Sequence, residues 1–221
     1  MTVTHMWLNS TITAADNPDY ARQGTYKETL EWRALSNVAA LCSRAEFKTD
    51  QKPDVPLKER ACTGDASEIA ILKFMEFELD DVATYRARSP KVSEIPFNST
   101  NKFHVTVHRL DINDPQRAHG FEHVLLMKGA PERILARSER IFVKGAEERM
   151  TDEWKERFNG AYEELVRPHS HSHSLLEYMV FSGSRNTRSR KFTETKLGSK
   201  CEEFLCMNST VYVLVVNSAL A

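Results

Sequence analysis

The stretch from Phe103 to Arg109 alternates Phe103, Val105 and Val107 with His104, Thr106 and His108. A period of two gives one apolar and one polar face only to an extended strand. A second extended run, Lys91 to Phe97, precedes it across the polar turn Asn98-Ser99-Thr100-Asn101. Two runs joined by so short a turn pair as an antiparallel hairpin, here expected to be half-buried. The remaining pattern must supply whatever covers that apolar face.

Helical spacing supplies the cover. Trp32, Leu35, Val38, Ala39 and Cys42 fall on one face of a helix, and Ile69, Leu72 and Met75 form the buried stripe of another. Asp65 opens that second helix and Glu68 stands three residues on, the spacing of a capping box in which each side chain satisfies an orphan backbone N–H. The apolar run Val124 to Met127 predicts a strand ending at Gly129, with Pro131 suited to the first turn of the next helix. Thr151 caps a last helix that carries Trp154, Phe158, Ala161, Tyr162 and Leu165. Thr2 to Leu8 reads as a strand and Ile141 to Val143 as an edge strand, whereas Ser10 to Gly24 and Lys48 to Glu59 read as surface connections. Strands and helices in this irregular order predict an α+β fold, an antiparallel sheet flanked by helices.

Bulk properties narrow the function classes. With 221 residues, 41% of them hydrophobic, the chain can bury a substantial core, and a formal net charge of -1 gives no reason to expect nucleic acid or an anionic membrane as partner. The four cysteines, Cys42, Cys62, Cys201 and Cys206, are too few and too scattered for a disulfide framework and suit a reducing cytosol. The longest apolar run, Val211 to Val216, falls far short of the roughly 20 residues that span a bilayer. No signal-peptide pattern opens the chain, so a cytoplasmic location is expected.

Three short stretches carry residue types suited to holding a nucleotide: Gly64-Asp65-Ala66-Ser67-Glu68, Ile95 to Lys102, and Met127-Lys128-Gly129-Ala130-Pro131-Glu132-Arg133. Without a Walker-type loop, such a site must hold the base by stacking and edge hydrogen bonds, and meet the phosphates with a few cations. Phe97, at a strand end beside a polar turn, can present its ring to a base, although an ordinary core aromatic is the commoner role on pattern alone. Lys102 and Lys128 can attract phosphates, although a lone lysine is usually a solvated charge. Glu68 can accept from a base amino group, but helix capping explains it equally well. Asp65 is better explained as a cap than as a ligand.

In order and spacing these stretches resemble the nucleotide-binding domain of the P-type cation-transporting ATPases, nearest to the sodium/potassium-transporting kind. The resemblance runs from Met1 to about Leu165. It implies that Phe97 stacks on adenine and that Glu68, Lys102, His104, Lys128, Gly129 and Arg133 line an ATP site, with Mg-ATP as the cofactor of the complete pump. His104 departs from the family's usual glutamine at the pocket wall, and a histidine there would be expected to change charge near neutral pH. Phosphorylation and actuator domains and a beta subunit are the partners implied for the complete pump, at the cytosolic face of the plasma membrane. The Asp-Lys-Thr-Gly-Thr stretch that such pumps phosphorylate is absent from this sequence. Hydrolysis by this chain alone is therefore not expected, and no catalytic residue is assigned. An inactive truncated product, a non-catalytic interaction module and a fragment of a proton/potassium pump are the alternatives.

The resemblance breaks at Val166, where the family continues with a Gly-Gly-Leu-Gly-Glu-Arg segment. Residues 1–165 are thus expected to be an incomplete nucleotide-binding domain that lacks its C-terminal strand. Residues 166–221 are expected to be an aberrant or disordered tail, and Val166-Arg167 is what translation through an intron start can leave. The tail holds seven Lys/Arg against four Asp/Glu. Within it, Leu176 to Phe181 and Val211 to Val216 are the only runs that read as strands. His169, His171 and His173 share one face of an extended chain, but no carboxylate or cysteine nearby completes a metal shell.

Overall fold

The computed structural model describes residues 2–15, 25–52, 54–114, 117, 120–166, 176–184 and 209–218. The chain begins with the hairpin β1 (His5–Leu8) and β2 (Thr11–Ala14), turned by Asn9 and Ser10 at positive φ. After one short 3-10 turn at Thr25–Glu28 comes α1 (Leu30–Leu41), capped by Thr29, whose hydroxyl accepts from the Trp32 N–H at 3.2 Å. A two-residue ladder of β3 (Glu46–Phe47) and β4 (Cys62–Thr63) leads into α2 (Ala66–Leu79). A short helix missing from the sequence pattern, α3 (Val82–Arg88), follows with Asp81 as its cap.

The hairpin is β5 (Lys91–Ile95) with β6 (Phe103–Arg109), and β6 pairs on its other side with β7 (His123–Gly129). Pro131 occupies the first turn of α4 (Pro131–Leu135). The strands β8 (Arg140–Val143) and β9 (Ala146–Arg149) form a separate hairpin. The Thr151 hydroxyl then accepts from the Trp154 N–H at the start of α5 (Asp152–Val166).

Both faces of the sheet are covered. Val124 and Leu126 of β7 pack with α1 and α2, while Leu125 and Met127 pack with β6, α4, β8 and α5. Alternate residues of one strand thus feed two separate cores. The half-buried hairpin expected from the pattern is corrected for one strand only: Phe103 to His108 of β6 are all buried, including His104, Thr106 and His108, whereas β5 is exposed to partly buried. The polar face of β6 lies under α1 and α2 rather than in water.

Two strands from beyond Val166 join the main sheet. These are β10 (Leu176–Ser184) and β11 (Ser209–Ser218), and the order is β2-β1-β10-β11-β7-β6-β5. β11 runs parallel to β7 in the register Ser209 to His123 through Val215 to Gly129, and β10 meets β1 in parallel. The other neighbours in this sheet pair antiparallel. The place beside β7, expected to lack a strand, is taken by β11, with β10 between β11 and β1. Their dense valine, leucine and tyrosine content favours extended backbone, and a composition averaged over the whole tail hides that preference. The histidines at 169, 171 and 173, and Cys201 and Cys206, lie outside the described residues.

Candidate functional site

The residues proposed from the three motifs meet at one end of the β5-β6-β7 sheet, but they divide into a buried floor and an exposed rim. The floor is built by register. His104 stands opposite Lys128 across β6 and β7, on the face covered by α2. Glu68, in the first turn of α2, reaches down to both. Lys128 Nζ donates to Glu68 Oε1 at 2.5 Å, and His104 Nδ1 lies 3.6 Å from the same oxygen. Glu68 Oε2 accepts from the backbone N–H of Arg44 at 3.0 Å.

The capping box is therefore only half present. Asp65 caps α2 as expected, accepting from the N–H groups of Ser67 and Glu68 at 2.9 Å. Glu68 turns instead toward the sheet, because two buried cations there attract a carboxylate more strongly than one neutral backbone donor does.

Glu94, one residue before the second motif, extends the floor. His104 Nε2 lies 2.6 Å from Glu94 Oε1. Arg44 holds Glu94 with both arms of its guanidinium, at 2.8 and 3.2 Å, and Lys91 Nζ donates to it at 2.9 Å. Neither Arg44 nor Glu94 was identified from the motifs. The signal was available for Glu94, which sits opposite Thr106 and so diagonally beside His104 on the neighbouring strand.

These contacts set the protonation states. Burial works against the Glu68 anion, but His104 and Lys128 outweigh it and hold the carboxyl at about 2. Burial likewise opposes charge on Glu94, where Arg44, Lys91 and His104 bring it to about 2. Burial disfavours the His104 cation too, yet contacts with Cys42 and Glu68 raise it to about 9. The expectation that His104 changes charge near neutral pH is thereby corrected: wedged between two carboxylates, it stays protonated there.

The rim is different. Phe97, two residues beyond the end of β5, is 60% exposed, which removes the ordinary core role. Lys102 has a positive φ of 56° and pairs loosely with Glu132, at 3.6 Å. Arg133 is exposed on α4. Gly129 is buried beneath the rim, where a Cβ would lie 2.5 Å from the Lys102 carbonyl oxygen and 2.8 Å from the Phe103 Cα. Its missing side chain lets β7 approach the chain's own backbone. A surface depression of about 590 Å³ near Asn9, Lys144 and Trp154, and another of about 350 Å³ between α4 and α5, both lie away from Phe97. The described residues hold no cluster of three or more His, Cys, Asp or Glu placed to bind a metal, and no helix among them is long and apolar enough to cross a membrane.

The end of this helix-layered sheet gathers residues of all three motifs, and comparison with known proteins defines the class. The chain belongs to the P-type ATPase family: residues 31–205 match the family model of its cytoplasmic domain N. It is 48% identical over 166 residues to the sodium/potassium-transporting ATPase subunit alpha-B of Artemia franciscana, covering 75% of this chain and 16% of that protein. It is 47% identical over 167 residues to the sodium/potassium-transporting ATPase subunit alpha of Drosophila melanogaster, covering 75% and 15%. The potassium-transporting ATPase alpha chain 1 of Xenopus laevis is 44% identical over 166 residues, covering 75% and 16%. The chain thus spans about one sixth of the length of these relatives.

Proposed function

We propose that this chain binds ATP as the nucleotide-binding domain of a sodium/potassium-type P-type ATPase alpha subunit, with residues 1–165 as the unit concerned. The single observation that carries this reading is the 60% exposed ring of Phe97 just beyond the end of β5, the strand whose Glu94 belongs to the cation-rich floor. A large aromatic held in water at a strand end gains little from folding, whereas stacking on a base contributes roughly 1–3 kcal/mol. In the floor, Lys128, His104, Arg44 and Lys91 face only two carboxylates, Glu68 and Glu94. That excess of positive charge favours a polyphosphate.

In this reading Phe97 stacks on adenine, Lys102 and Arg133 meet the phosphates, and Glu68, His104, Lys128 and Gly129 shape and support the pocket. Mg-ATP is the form bound in a complete pump. There the domain delivers the terminal phosphate to a neighbouring phosphorylation domain, with an actuator domain and a beta subunit as further partners, at the cytosolic face of the plasma membrane. The similarity to potassium-transporting ATPase alpha chains supports a second reading, in which the parent is a proton/potassium pump.

A ligand that binds only the folded chain must raise its melting temperature. ATP at millimolar concentration is expected to do so, and Phe97→Ala to weaken ATP binding roughly tenfold or more. A melting temperature unmoved by ATP in the wild-type chain contradicts nucleotide binding, and an unchanged affinity in the variant contradicts this placement of the base.

A further inference from the structure

We infer that Ser89 is a phosphorylation site, taking its phosphoryl group from ATP held by a serine kinase of the proline-directed class. Of the eight prolines in the chain, Pro90 alone follows a serine or threonine, so such a kinase finds one acceptor here. Pro90 has no N–H to satisfy. It therefore suits a kinase whose pocket for the residue after the acceptor is apolar.

The fold presents this pair at its surface. Ser89 closes α3, and Lys91 opens β5, the last strand at its side of the main sheet. The proline that follows keeps Ser89 out of the helical region, at φ −123° and ψ 74°, and a kinase cleft takes its substrate as an extended chain. Pro90, Lys91 and Val92 are exposed, and Ser89 is half-buried.

The backbone here is held on its inner side. The Ser89 N–H donates to the Arg86 carbonyl at 3.1 Å, His108 Nδ1 donates to the Ser89 carbonyl at 2.8 Å, and the Arg109 N–H donates to the Pro90 carbonyl at 3.0 Å. The hydroxyl, by contrast, makes no hydrogen bond with the described residues. It is the one polar group of Ser89 left for chemistry.

The local charge suits the product. From Val82 to Ser93 the chain carries Arg86, Arg88 and Lys91 and no carboxylate. Phosphoserine brings about two negative charges near neutral pH, and this stretch meets them with cations rather than with like charge. In the transfer, Ser89 Oγ attacks the terminal phosphorus of ATP in the kinase. The new O–P bond forms as the bond from that phosphorus to the bridging oxygen breaks, ADP leaves with the electron pair, and the hydroxyl proton passes to a carboxylate base of the kinase.

The direct test incubates the folded 221-residue chain with a purified cyclin-dependent kinase and Mg-ATP, then locates phosphate by mass spectrometry. One phosphate per chain, on Ser89, is expected, and its loss in both Ser89→Ala and Pro90→Ala. Ser89→Thr, which keeps a hydroxyl before Pro90, is expected to be modified as the wild type is, which separates a lost acceptor from a lost fold. A wild-type chain that takes up no phosphate overturns the inference, as does uptake that persists in Ser89→Ala or fails in Ser89→Thr. Uptake that occurs only after heat unfolding also overturns it, because the acceptor would then owe nothing to the fold.

Discussion

Lys128 Nζ sits 2.5 Å from Glu68 Oε1 with both side chains 9% exposed, which makes this pair the best-buried lysine–carboxylate bridge among the described residues. It joins the first turn of α2 to the end of β7, so it serves as a tertiary fastener before it serves any ligand. Removing Lys128 leaves the buried Glu68 carboxylate with only the more distant His104 cation, at 3.6 Å. Lys128→Met is expected to destabilise the chain by about 3 kcal/mol, read as a lower urea midpoint at unchanged slope. Combining it with Glu68→Gln should recover part of that loss, because the stranded anion is then gone. A double variant no more stable than the single one would contradict a buried-charge origin.

Gly129→Ala tests a steric constraint. The added Cβ would stand 2.5 Å from the Lys102 carbonyl and 2.8 Å from the Phe103 Cα, and backbone atoms inside a paired sheet have little room to move. The expected cost is roughly 1–3 kcal/mol, the range for overpacking a tight site. A thermal melt of the variant checks it. By contrast, Gly160→Ala on α5, where a Cβ meets nothing within 4 Å, should leave the melting temperature unchanged or raise it.

Much of this arrangement was legible in the sequence. The alternation of Phe103 to His108 fixed a strand, Asp65 and Thr151 marked two helix starts, and Gly129-Ala130-Pro131 marked the turn from β7 into α4. What stayed hidden depended on contacts distant in sequence. The polar positions His104 and His108 gave no sign that a helical layer would bury them. Phe97 read as core on pattern alone, because nothing local says that a strand end projects into water. The Glu68 carboxylate fits a capping box by spacing, and only the arrival of Lys128, 60 residues later, diverts it. The tail's strands were visible as two apolar runs, but their parallel partners, β7 and β1, were not, since parallel pairing leaves no local turn to read.

The tail bears directly on solubility. β11 follows β7 along its length and β10 closes onto β1, so deleting residues 167–221 would expose two strand edges that are paired in this sheet. Bare edges recruit other chains. The shortened protein is expected to aggregate at concentrations where the full chain remains monodisperse, as light scattering would show. A shortened chain that stays monodisperse and melts at the same temperature would mean that β10 and β11 contribute nothing to the sheet.

Four buried or partly buried groups shape the dependence of stability on pH, and their signs can be worked out separately. Glu68 and Glu94 fall from 4.5 to about 2 on folding, so their stabilisation is complete above about pH 5 and is lost as pH falls toward 2. Burial depresses His108 from 6.5 to about 4, despite its contact with the Ser89 carbonyl. The unfolded chain therefore takes up that proton first, and stability also declines as pH drops from 6.5 to 4. His104 runs the other way: raised from 6.5 to about 9, it stabilises fully below 6.5 and loses that contribution as pH climbs through 9. The four together place maximum stability near pH 6 to 7, with a decline on each side. Replacing His104 with glutamine should flatten the alkaline decline between pH 7 and 9 and leave the acid limb in place, because Lys128 and Arg44 still hold the two carboxylates. Urea denaturation of both proteins across pH 4 to 9 would read this out, and an alkaline limb equally steep in the variant would assign it to another group.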